Sequence, residues 1–392
     1  MFSLTPRHPD DPELDALVLR LRDYLDGELA DYEREHLIAY GTPLSRELLE
    51  PVWRRSRELG FYGIHLPPEL GGQGLSYTRL AALKEEIGAS PRVLATSVLG
   101  DMGGPLRVGA LFGIATQQQI DEYLLPVVRA ERACCFSITE DDAGSDVRRM
   151  STTATPTDGG YLLTGHKVFS TAGTFADFAI VVARMAADDE RYSAFLVDLD
   201  GPGVKIVPGA LPLTGQNVES DVILEGAFVP AANLLGAEGE GLRIALGRIT
   251  ANRLLHCPTA IGAARRSIQI ALQWAAQRPV TGGLLLEKQA IQHRLADMAT
   301  ELYAGRSMTY AALADLDAGR RPRIESFMCK LFVAESAYRI ADEAMQMLGK
   351  AGMVRGTEIE QLWHGLRMFR VLTGASEIQR NGIMRDLAGE LA

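Results

Sequence analysis

Residues 136–146 (FSITEDDAGSD) combine hydroxyl, acidic and glycine residues in a pattern suited to ligand binding. The segment begins with strand-forming residues and then opens into a turn that contains glycine. Such a turn presents backbone N–H groups, and here the hydroxyls of Thr139 and Ser145, to a bound molecule. An ordinary acidic hairpin loop has the same composition, so both interpretations stay open at this point.

A second segment, residues 165–171 (GHKVFST), places an aromatic ring beside hydroxyl groups. Phe169 can stack on a flat heterocycle, and the neighbouring hydroxyl residues can hydrogen-bond to its polar edge. A single phenylalanine is more often part of a hydrophobic core. The chemistry of this segment therefore depends on the motifs around it.

Two further motifs lie near the C-terminus. Residues 346–352 (QMLGKAG) end a helical pattern with glycines, which is typical of a helix C-cap. Residues 373–380 (TGASEIQR) predict a turn followed by a capped helix, whose N-terminus can hold an anion. His256 is a possible acid or base, but a lone histidine in an apolar helix is more often a core residue.

Composition and charge narrow the functional classes. The 392 residues are 47% hydrophobic and 23% charged, which is ordinary for a folded protein of two or three domains. The net charge of -10 disfavours nucleic-acid binding. No apolar run is long enough to cross a bilayer, and the N-terminus lacks a signal pattern. We therefore expect no membrane association and a cytoplasmic location.

The four cysteines predict no metal or disulfide chemistry. None forms a CxxC pair, and each lies in an apolar or regular stretch, which favours small buried thiols. This usage fits a reducing compartment. The residues are Cys134, Cys135, Cys257 and Cys329.

The spacing and type of apolar residues change twice along the chain and predict an α+β multidomain fold. Helical spacing up to residue 132 predicts an N-terminal helical domain (1–132). Short β-branched and aromatic stretches between turn clusters predict a middle antiparallel β-domain (133–237). Long helical patterns predict a C-terminal four-helix bundle (238–392). Because strands and helices do not alternate, a Rossmann sheet is disfavoured.

Local patterns also predict the individual elements. Leucines and aromatics from 14 to 25 recur at helical spacing and define one amphipathic helix, and 45–59 predicts a second. The predicted strands are 134–139, 161–170, 178–184, 193–199 and 204–208. The predicted long helices are 244–274, 285–318, 323–348 and 357–391.

Taken in this order, the motifs resemble those of the acyl-CoA dehydrogenase family over nearly the whole chain. The pattern TExxAGSD at 139–146 matches a specific family signature, and GHKxFxT at 165–171 matches the next, with Phe169 where Trp is commoner. Residues 346–350 match Gln-x-x-Gly-Gly except that Lys350 replaces the second Gly. Residues 374–380 match the closing motif, and 253–257 match an Arg-x-x-His-Cys element.

The resemblance implies an acyl-CoA dehydrogenase fold that binds FAD and an acyl-CoA or acyl-carrier-protein thioester. A base would remove the α-proton while the β-hydrogen leaves as hydride to the flavin. The electrons would pass to an electron-transfer flavoprotein or to oxygen. The resemblance also implies a homodimer or homotetramer, because the bundle of one subunit completes the FAD site of the next.

The matched positions imply the site residues. Those matched to the FAD site are Phe136, Ile138, Thr139, Ser145, Phe169, Thr171, Arg278, Gln289, Gln346, Gly349, Ala375 and Glu377. Those matched to the substrate site are Ser145, Asn252, Arg253, Gly374 and Arg385.

The chain departs from the family at the catalytic base. The commonest base is a Glu just before the closing motif's Gly, where this chain has Thr373. A second family solution is a Glu beside the residue matched by Arg253, where this chain has Asn252. Neither side chain takes up a proton near neutral pH. Asp101 is our candidate base, expected on a substrate-side helix before the β-domain, although a capping or surface role is an equal alternative.

Three functional hypotheses follow. The first is an FAD-dependent thioester dehydrogenase with its base elsewhere, or one acting on an unusually acidic thioester. The second is a flavin-dependent monooxygenase of the same fold. The third is an FAD-binding homologue with little dehydrogenase activity. The intact signature at 139–146 favours the first, whereas the loss of both carboxylates keeps the third open.

Overall fold

The computed structural model describes residues 4–6, 8 and 10–389, without the side chains at 189 and 248–251. The chain divides into two compact units. The first contains Met1–Tyr40, Ser76–Ala95 and Thr250–Ala392, and the second contains Gly41–Leu75 and Thr96–Ile249. The domain boundaries at 132 and 237 divide the chain in another way and stay a prediction.

The helices lie on either side of a β-rich segment in the chain, as the sequence predicts. Before it come α1 (Pro12–Asp26), α2 (Glu28–Glu35), α3 (Arg46–Glu58), α4 (Tyr77–Ala89), α5 (Ala95–Val98), α6 (Pro105–Val108), α7 (Gln117–Gln119) and α8 (Leu125–Val128). After it come α9 (Gly241–Gln277), α10 (Gln289–Asp317), α11 (Arg323–Leu348), α12 (Glu358–Phe369) and α13 (Ser376–Gly389).

Helix α1 forms where its amphipathic pattern predicts it. The Asp11 carboxylate accepts a hydrogen bond from the main-chain N–H of Leu14 at 3.1 Å and so caps the helix. Pro12 occupies the first helical position, where no N–H is needed. The buried apolar face consists of Leu14, Val18, Leu21, Tyr24 and Leu25.

The helical pattern over 357–391 forms two helices, α12 and α13, and the turn predicted at the start of 373–380 is confirmed. Thr373 and Gly374 have φ angles of 54° and 94°. This left-handed conformation cannot continue a right-handed helix. The start of the closing motif therefore lies in a loop. Helix α11, in contrast, begins and ends where the sequence predicts, and Gly349 follows it with a φ of 58°.

The second unit contains a mixed, largely antiparallel sheet. Its strands are β1 (Cys134–Ser137), β2 (Thr153–Thr157), β3 (Gly160–Lys167), β4 (Phe178–Met185), β5 (Asp188–Asp198), β6 (Val204–Pro208), β7 (Ser220–Pro230) and β8 (Leu234–Leu235). The order is β6-β7-β3-β2-β4-β5-β8, and β1 pairs with β4. The β1–β4 and β2–β4 pairs are parallel, and the other pairs are antiparallel. A short hairpin, β9 (Pro279–Val280) and β10 (Gly283–Leu284), follows α9.

The sequence patterns identified five of the eight strands of this sheet and missed β2, β7 and the two-residue β8. Strand β2 contains Pro156 and is largely exposed, so it lacks an apolar pattern. In β7, Gly226 is an extra residue opposite the Leu163–Thr164 step of β3. Such a β-bulge interrupts the alternation by which a strand is recognised.

Each unit has its own apolar core. In the first, residues of α9, α10, α11 and α12 pack together, and Cys257 and Cys329 are among them. In the second, Cys134 and Cys135 are buried in β1. The prediction of buried, free thiols is confirmed. Among the described residues, no helix has the length and apolarity needed to span a membrane.

A buried ion pair ties the end of β3 to the turn after β1. Lys167 is fully buried, and its Nζ donates to Glu140 Oε1 at 2.8 Å. Glu140 also accepts hydrogen bonds from the N–H and hydroxyl of Ser151 and from the N–H of Thr152. Burial by itself would raise the pKa of Glu140, but the bonds from Lys167, Ser151 and Thr152 outweigh it and lower the pKa from 4.5 to about 2.

In the first unit, the backbones of α4 and α9 approach each other closely at two glycines. A Cβ added at Gly88 would lie 1.9 Å from the carbonyl oxygen of Thr259. A Cβ added at Gly262 would lie 2.0 Å from the carbonyl oxygen of Glu85. Neither distance is compatible with a side chain, so glycine at both positions sets the spacing of these helices.

We expect Gly88→Ala and Gly262→Ala each to reduce the free energy of unfolding by about 1–3 kcal/mol, since each overpacks a close backbone contact. Gly365→Ala is the matched control, because Gly365 lies within α12 with open space around its Cα. Alanine there should increase stability by about 0.5–1 kcal/mol through its better helix propensity. Urea titrations of the three variants measure these differences. Equal stability of all three would contradict the close approach.

We also expect Glu140→Gln to reduce the free energy of unfolding by about 3–5 kcal/mol, because it leaves Lys167 charged and buried without its partner. Because the pKa of Glu140 is lowered, its stabilisation is present above its ordinary value of 4.5 and is lost as pH falls toward about 2. The variant should lack this acid-dependent loss in denaturation curves.

Two controls accompany this variant. Glu140→Gln combined with Lys167→Met removes both charges and should recover part of the stability. Glu58→Gln breaks an exposed ion pair with Arg55 on α3 and should change stability by at most about 1 kcal/mol. A Glu140→Gln variant as stable as Glu58→Gln would show that the buried pair does not hold the two segments.

Candidate active site

The turn after β1 and the loop after β3 lie side by side in the second unit. The main-chain N–H of Val168 donates to the Thr139 carbonyl at 2.9 Å, next to the Lys167–Glu140 ion pair. Reciprocal main-chain hydrogen bonds between Glu140 and Ala143, at 3.2 and 3.1 Å, close the turn. Gly144 and Ser145 are exposed, with open space around Gly144. The rim of this turn is therefore accessible to a ligand.

Phe169 presents its ring on the surface in a strained conformation. Its φ is 52°, which costs a residue other than glycine about 1–3 kcal/mol, and its side chain is 56% exposed. The residues around it are fixed. Ser170 donates its N–H to the Ser220 carbonyl at 2.9 Å, and its hydroxyl lies 2.7 Å from that of Ser137. An exposed aromatic ring between fixed neighbours is a surface that a flat ligand can cover.

These residues fit the flavin of FAD. Phe169 offers an aromatic face, and the half-buried Thr139 and Thr171 with the exposed Ser145 offer hydroxyls for polar edges. Ile138 is buried in the core, so its side chain is not available to a ligand. Phe136 is half-buried in β1, at the start of the same segment.

The sequence motifs missed Glu219, a buried acid that contacts this segment. The Thr171 hydroxyl lies 3.0 and 2.9 Å from the two carboxyl oxygens of Glu219, which is 7% exposed. Burial raises the pKa of Glu219, while the bond from Thr171 and the charge of Arg107 oppose that rise. The residue stands in the polar stretch GQNVESD, which carries no local sign that its glutamate is buried.

In the first unit, the closing motif is fixed by contacts with α11. The Ser376 hydroxyl donates to Glu335 at 2.6 Å, and Arg370 donates to the same carboxylate at 3.0 Å. Burial alone would raise the pKa of Glu335, but these two bonds lower it. Thr373 is half-buried, and its hydroxyl donates to the adjacent carbonyl of Leu372 at 2.7 Å. A paired carboxylate thus supports the loop that contains Thr373.

Arg253 and Lys330 are two of the buried cations of the same unit. Arg253 is 8% exposed, and its guanidinium lies 4.3 Å from the centre of the Phe327 ring. Among the described residues, its Nε has no hydrogen-bond partner. Burial, together with the charges of Arg385 and Arg323, lowers the pKa of Arg253 to about 10. Lys330 donates from Nζ to the Phe369 carbonyl at 2.5 Å, and burial lowers its pKa to about 8.

The other positions matched to the cofactor also lie in the first unit, mostly on its surface. Arg278 follows α9, Gln289 begins α10, and Gln346 and Gly349 lie at the end of α11; all four are exposed. Glu377 is exposed in the first turn of α13, and Ala375 precedes it half-buried. Of the substrate positions, Arg385 is exposed on α13, whereas Asn252 and Gly374 are half-buried.

Asp101 does not lie on a helix, so that part of its prediction is wrong. It falls in the loop between α5 and α6, where two glycines at 103 and 104 precede Pro105 and prevent a continuous helix. Its main-chain carbonyl accepts a hydrogen bond from Arg107 Nε at 3.0 Å. Asp101 is half-buried in the second unit, and its role as a base stays a prediction.

Comparison with known proteins identifies the family of this chain. Three family models cover almost the whole chain: the acyl-CoA dehydrogenase N-terminal domain at residues 11–131, the middle domain at 135–221 and the C-terminal domain at 239–388.

Characterised relatives have similar sequences over most of their length. The chain is 31% identical to the caffeyl-CoA reductase-Etf complex subunit CarC of Acetobacterium woodii, over 86% of this chain and 89% of that protein. It is 32% identical to the benzylmalonyl-CoA dehydrogenase of Aromatoleum aromaticum, over 88% of this chain and 91% of that protein.

Solved structures share the fold. An acyl-CoA dehydrogenase from Geobacillus kaustophilus superimposes with a TM-score of 0.85 at 27% identity, covering 96% of this chain and 98% of that one. A glutaryl-CoA dehydrogenase from Mycobacterium smegmatis gives 0.85 at 26% identity, covering 98% and 95%. The predicted fold class is thereby confirmed. The chain belongs to the acyl-CoA dehydrogenase family of FAD-dependent oxidoreductases that act on CH–CH groups.

Proposed function

We propose that this protein catalyses α,β-dehydrogenation of an acyl thioester, with CoA or an acyl-carrier protein as the thiol. The observation that carries the proposal is the exposed Phe169 ring beside Thr171 and the Thr139–Ser145 turn, held together by the buried ion pair. Bound FAD would accept the β-hydrogen as hydride. The CoA thioesters named for the relatives support CoA as the thiol.

Different residues of the chain would bind the flavin ring, the remainder of FAD and the thioester. In the second unit, Phe169 would stack on the flavin while Thr139, Thr171 and Ser145 bind its polar edges, with main-chain groups of Phe136 and Ile138 alongside. In the first unit, the residues for the remainder of FAD are Arg278, Gln289, Gln346, Gly349, Ala375 and Glu377. The residues for the thioester are Ser145, Asn252, Arg253, Gly374 and Arg385.

The absence of a carboxylate at position 373 constrains the substrate. An ordinary α-proton is weakly acidic and needs a positioned base, which is worth roughly 10²–10⁴ in rate. Glu335 contacts the closing motif, but its carboxylate accepts hydrogen bonds from Ser376 and Arg370, and these bonds hold it ionised. We therefore propose a thioester whose α-hydrogen is acidified by its own substituent, with Asp101 as the candidate base.

The same proposal specifies partners and assembly. The relative that belongs to an Etf complex supports an electron-transfer flavoprotein as the electron acceptor. Arg278, Gln289 and Gln346 are exposed, as expected if they reach the FAD of a neighbouring subunit. A homodimer or homotetramer would bury them. The four free cysteines support a reducing, cytoplasmic setting.

We expect the FAD-loaded protein to behave as a dimer or tetramer in light scattering at micromolar concentration, since each FAD would draw on two subunits. Removing FAD should weaken the assembly. As a control for net charge, Arg57→Ala on α3 changes one exposed guanidinium without touching a matched position. Arg278→Ala should reduce FAD affinity more than Arg57→Ala does. A fully loaded monomer would refute the shared site.

Anaerobic titration of the yellow protein with a panel of thioesters tests the reaction itself. Bleaching of the flavin by thioesters with acidic α-hydrogens, and little bleaching by straight-chain ones, is the expected result. Oxygen uptake by the reduced flavin with hydroxylation of a substrate would instead indicate a monooxygenase. Tight FAD binding with no bleaching by any thioester would indicate a binding protein.

Thr373→Glu should raise the rate of flavin reduction by straight-chain acyl-CoA, because a half-buried Glu there would have a raised pKa suited to a general base. Thr373→Gln has the same shape without the acid and should give no increase. Asp101→Asn should remove native flavin reduction while FAD stays bound. Flavin reduction at the wild-type rate in Asp101→Asn would rule out Asp101.

A further inference from the structure

We propose that Glu219 is a positioning residue that exchanges a proton with the flavin N5 atom through the hydroxyl of Thr171. The proposal rests on the proposed function in one respect, because it takes Thr171 to face the flavin ring. It adds a redox-linked buried acid that the family resemblance did not suggest.

The contact between Thr171 and Glu219 is built into the second unit. Thr171 lies in the loop after β3, and Glu219 immediately precedes β7, the strand that pairs with β3. The hydroxyl reaches both carboxyl oxygens, at 3.0 and 2.9 Å. The Ser170–Ser220 main-chain hydrogen bond of 2.9 Å lies beside them and fixes their spacing.

Glu219 can change its ionisation state, unlike the other buried glutamate of this unit. Glu140 accepts four hydrogen bonds, including one from the Lys167 ammonium, and is held ionised. The Glu219 carboxyl has the Thr171 hydroxyl as its hydrogen-bond donor among the described residues. A buried carboxylate with so little support takes up a proton readily, and burial raises the pKa of Glu219 accordingly.

A threonine hydroxyl has one proton to donate. The hydrogen bond of Thr171 to Glu219 and its hydrogen bond to the ligand therefore depend on each other. When Thr171 donates to an ionised Glu219, its oxygen can accept a hydrogen bond from an N–H group of the ligand. When Thr171 instead donates to a bare ring nitrogen, Glu219 needs its own proton to donate to Thr171. Flavin N5 carries a hydrogen when reduced and none when oxidised. Glu219 should therefore be ionised beside reduced flavin and neutral beside oxidised flavin.

The proton balance of reoxidation follows from this arrangement. With FAD bound, two electrons would leave for an acceptor of the electron-transfer flavoprotein class, and the N5–H bond would break. Thr171 Oγ1 would take that proton as its own hydroxyl proton passes to Glu219, so the carboxylate would become a carboxylic acid. During reduction by substrate, the hydride would form the N5–H bond and Glu219 would return one proton to solvent.

The charged groups around Glu219 define its pH response. Arg107 of α6 faces it and stabilises the ionised form; the Asp101 carbonyl holds the Arg107 guanidinium through Nε at 3.0 Å. On β7, the Asp221 carboxylate is engaged with His166 Nε2 at 3.0 Å. The charge of Arg107 therefore favours the ionised form of Glu219, whereas burial favours its neutral form.

The test compares Glu219→Gln with Glu225→Gln in the FAD-loaded protein. Glu225 lies on the same β7 strand but is exposed, so its change is a matched control. Both proteins are reduced anaerobically with dithionite and reoxidised with ferricenium, a one-electron acceptor, in a stopped-flow instrument. We expect reoxidation of Glu219→Gln to be about 10²-fold slower, the lower end of the effect of a positioned proton acceptor, and Glu225→Gln to match the wild type.

The pH dependence of the flavin midpoint potential is an independent measurement. In the wild type, proton release from Glu219 on reduction should flatten the slope of potential against pH within the range where Glu219 titrates. In Glu219→Gln the slope should stay constant across that range. Unchanged reoxidation together with an unchanged slope in Glu219→Gln would overturn the proposal.

A second pair of variants keeps the test decisive if Glu219→Gln fails to fold or to hold FAD. Thr171→Val removes the hydroxyl and should slow reoxidation, whereas Thr171→Ser retains it and should restore the rate. Slow reoxidation in Thr171→Ser as well would contradict a hydroxyl relay. Because dithionite replaces the thioester, a protein that no thioester reduces refutes the dehydrogenase proposal but leaves this measurement readable.

Discussion

The ion pair between Lys167 and Glu140 is the interaction on which the candidate cofactor surface depends. Both side chains are buried, so each charge requires the other, and the pair can form only when the end of β3 meets the turn after β1. The adjacent main-chain bond from Val168 to Thr139 then sets the register of the two segments. The strained, exposed Phe169 follows directly and is held by that register.

Two buried glutamates in one unit show how supporting hydrogen bonds decide the chemistry of a carboxyl group. Glu140, with an ammonium and three further donors, is a permanent anion with a structural role. Glu219, with a single hydroxyl donor and the charge of Arg107, is buried nearly as deeply but has a raised pKa. Burial alone therefore does not distinguish a structural acid from one that can exchange a proton.

The closing motif is a loop whose conformation is fixed by contacts with α11. Thr373 and Gly374 adopt left-handed conformations that end the helical run, and Glu335 ties the following serine to α11. The loop is thus fixed by residues other than the one at position 373.

The sequence by itself determined the elements whose boundaries are encoded locally, such as α1 with its Asp11 cap and α11 with Gly349 at its end, and it identified the motif segments that form the candidate site. Only the tertiary structure decided the pairing of β7 with β3 and the loop position of Asp101. It also revealed the burial of Glu219 against Thr171. Caps and periodicity depend on near neighbours in the chain, whereas burial and strand pairing depend on residues far away in sequence.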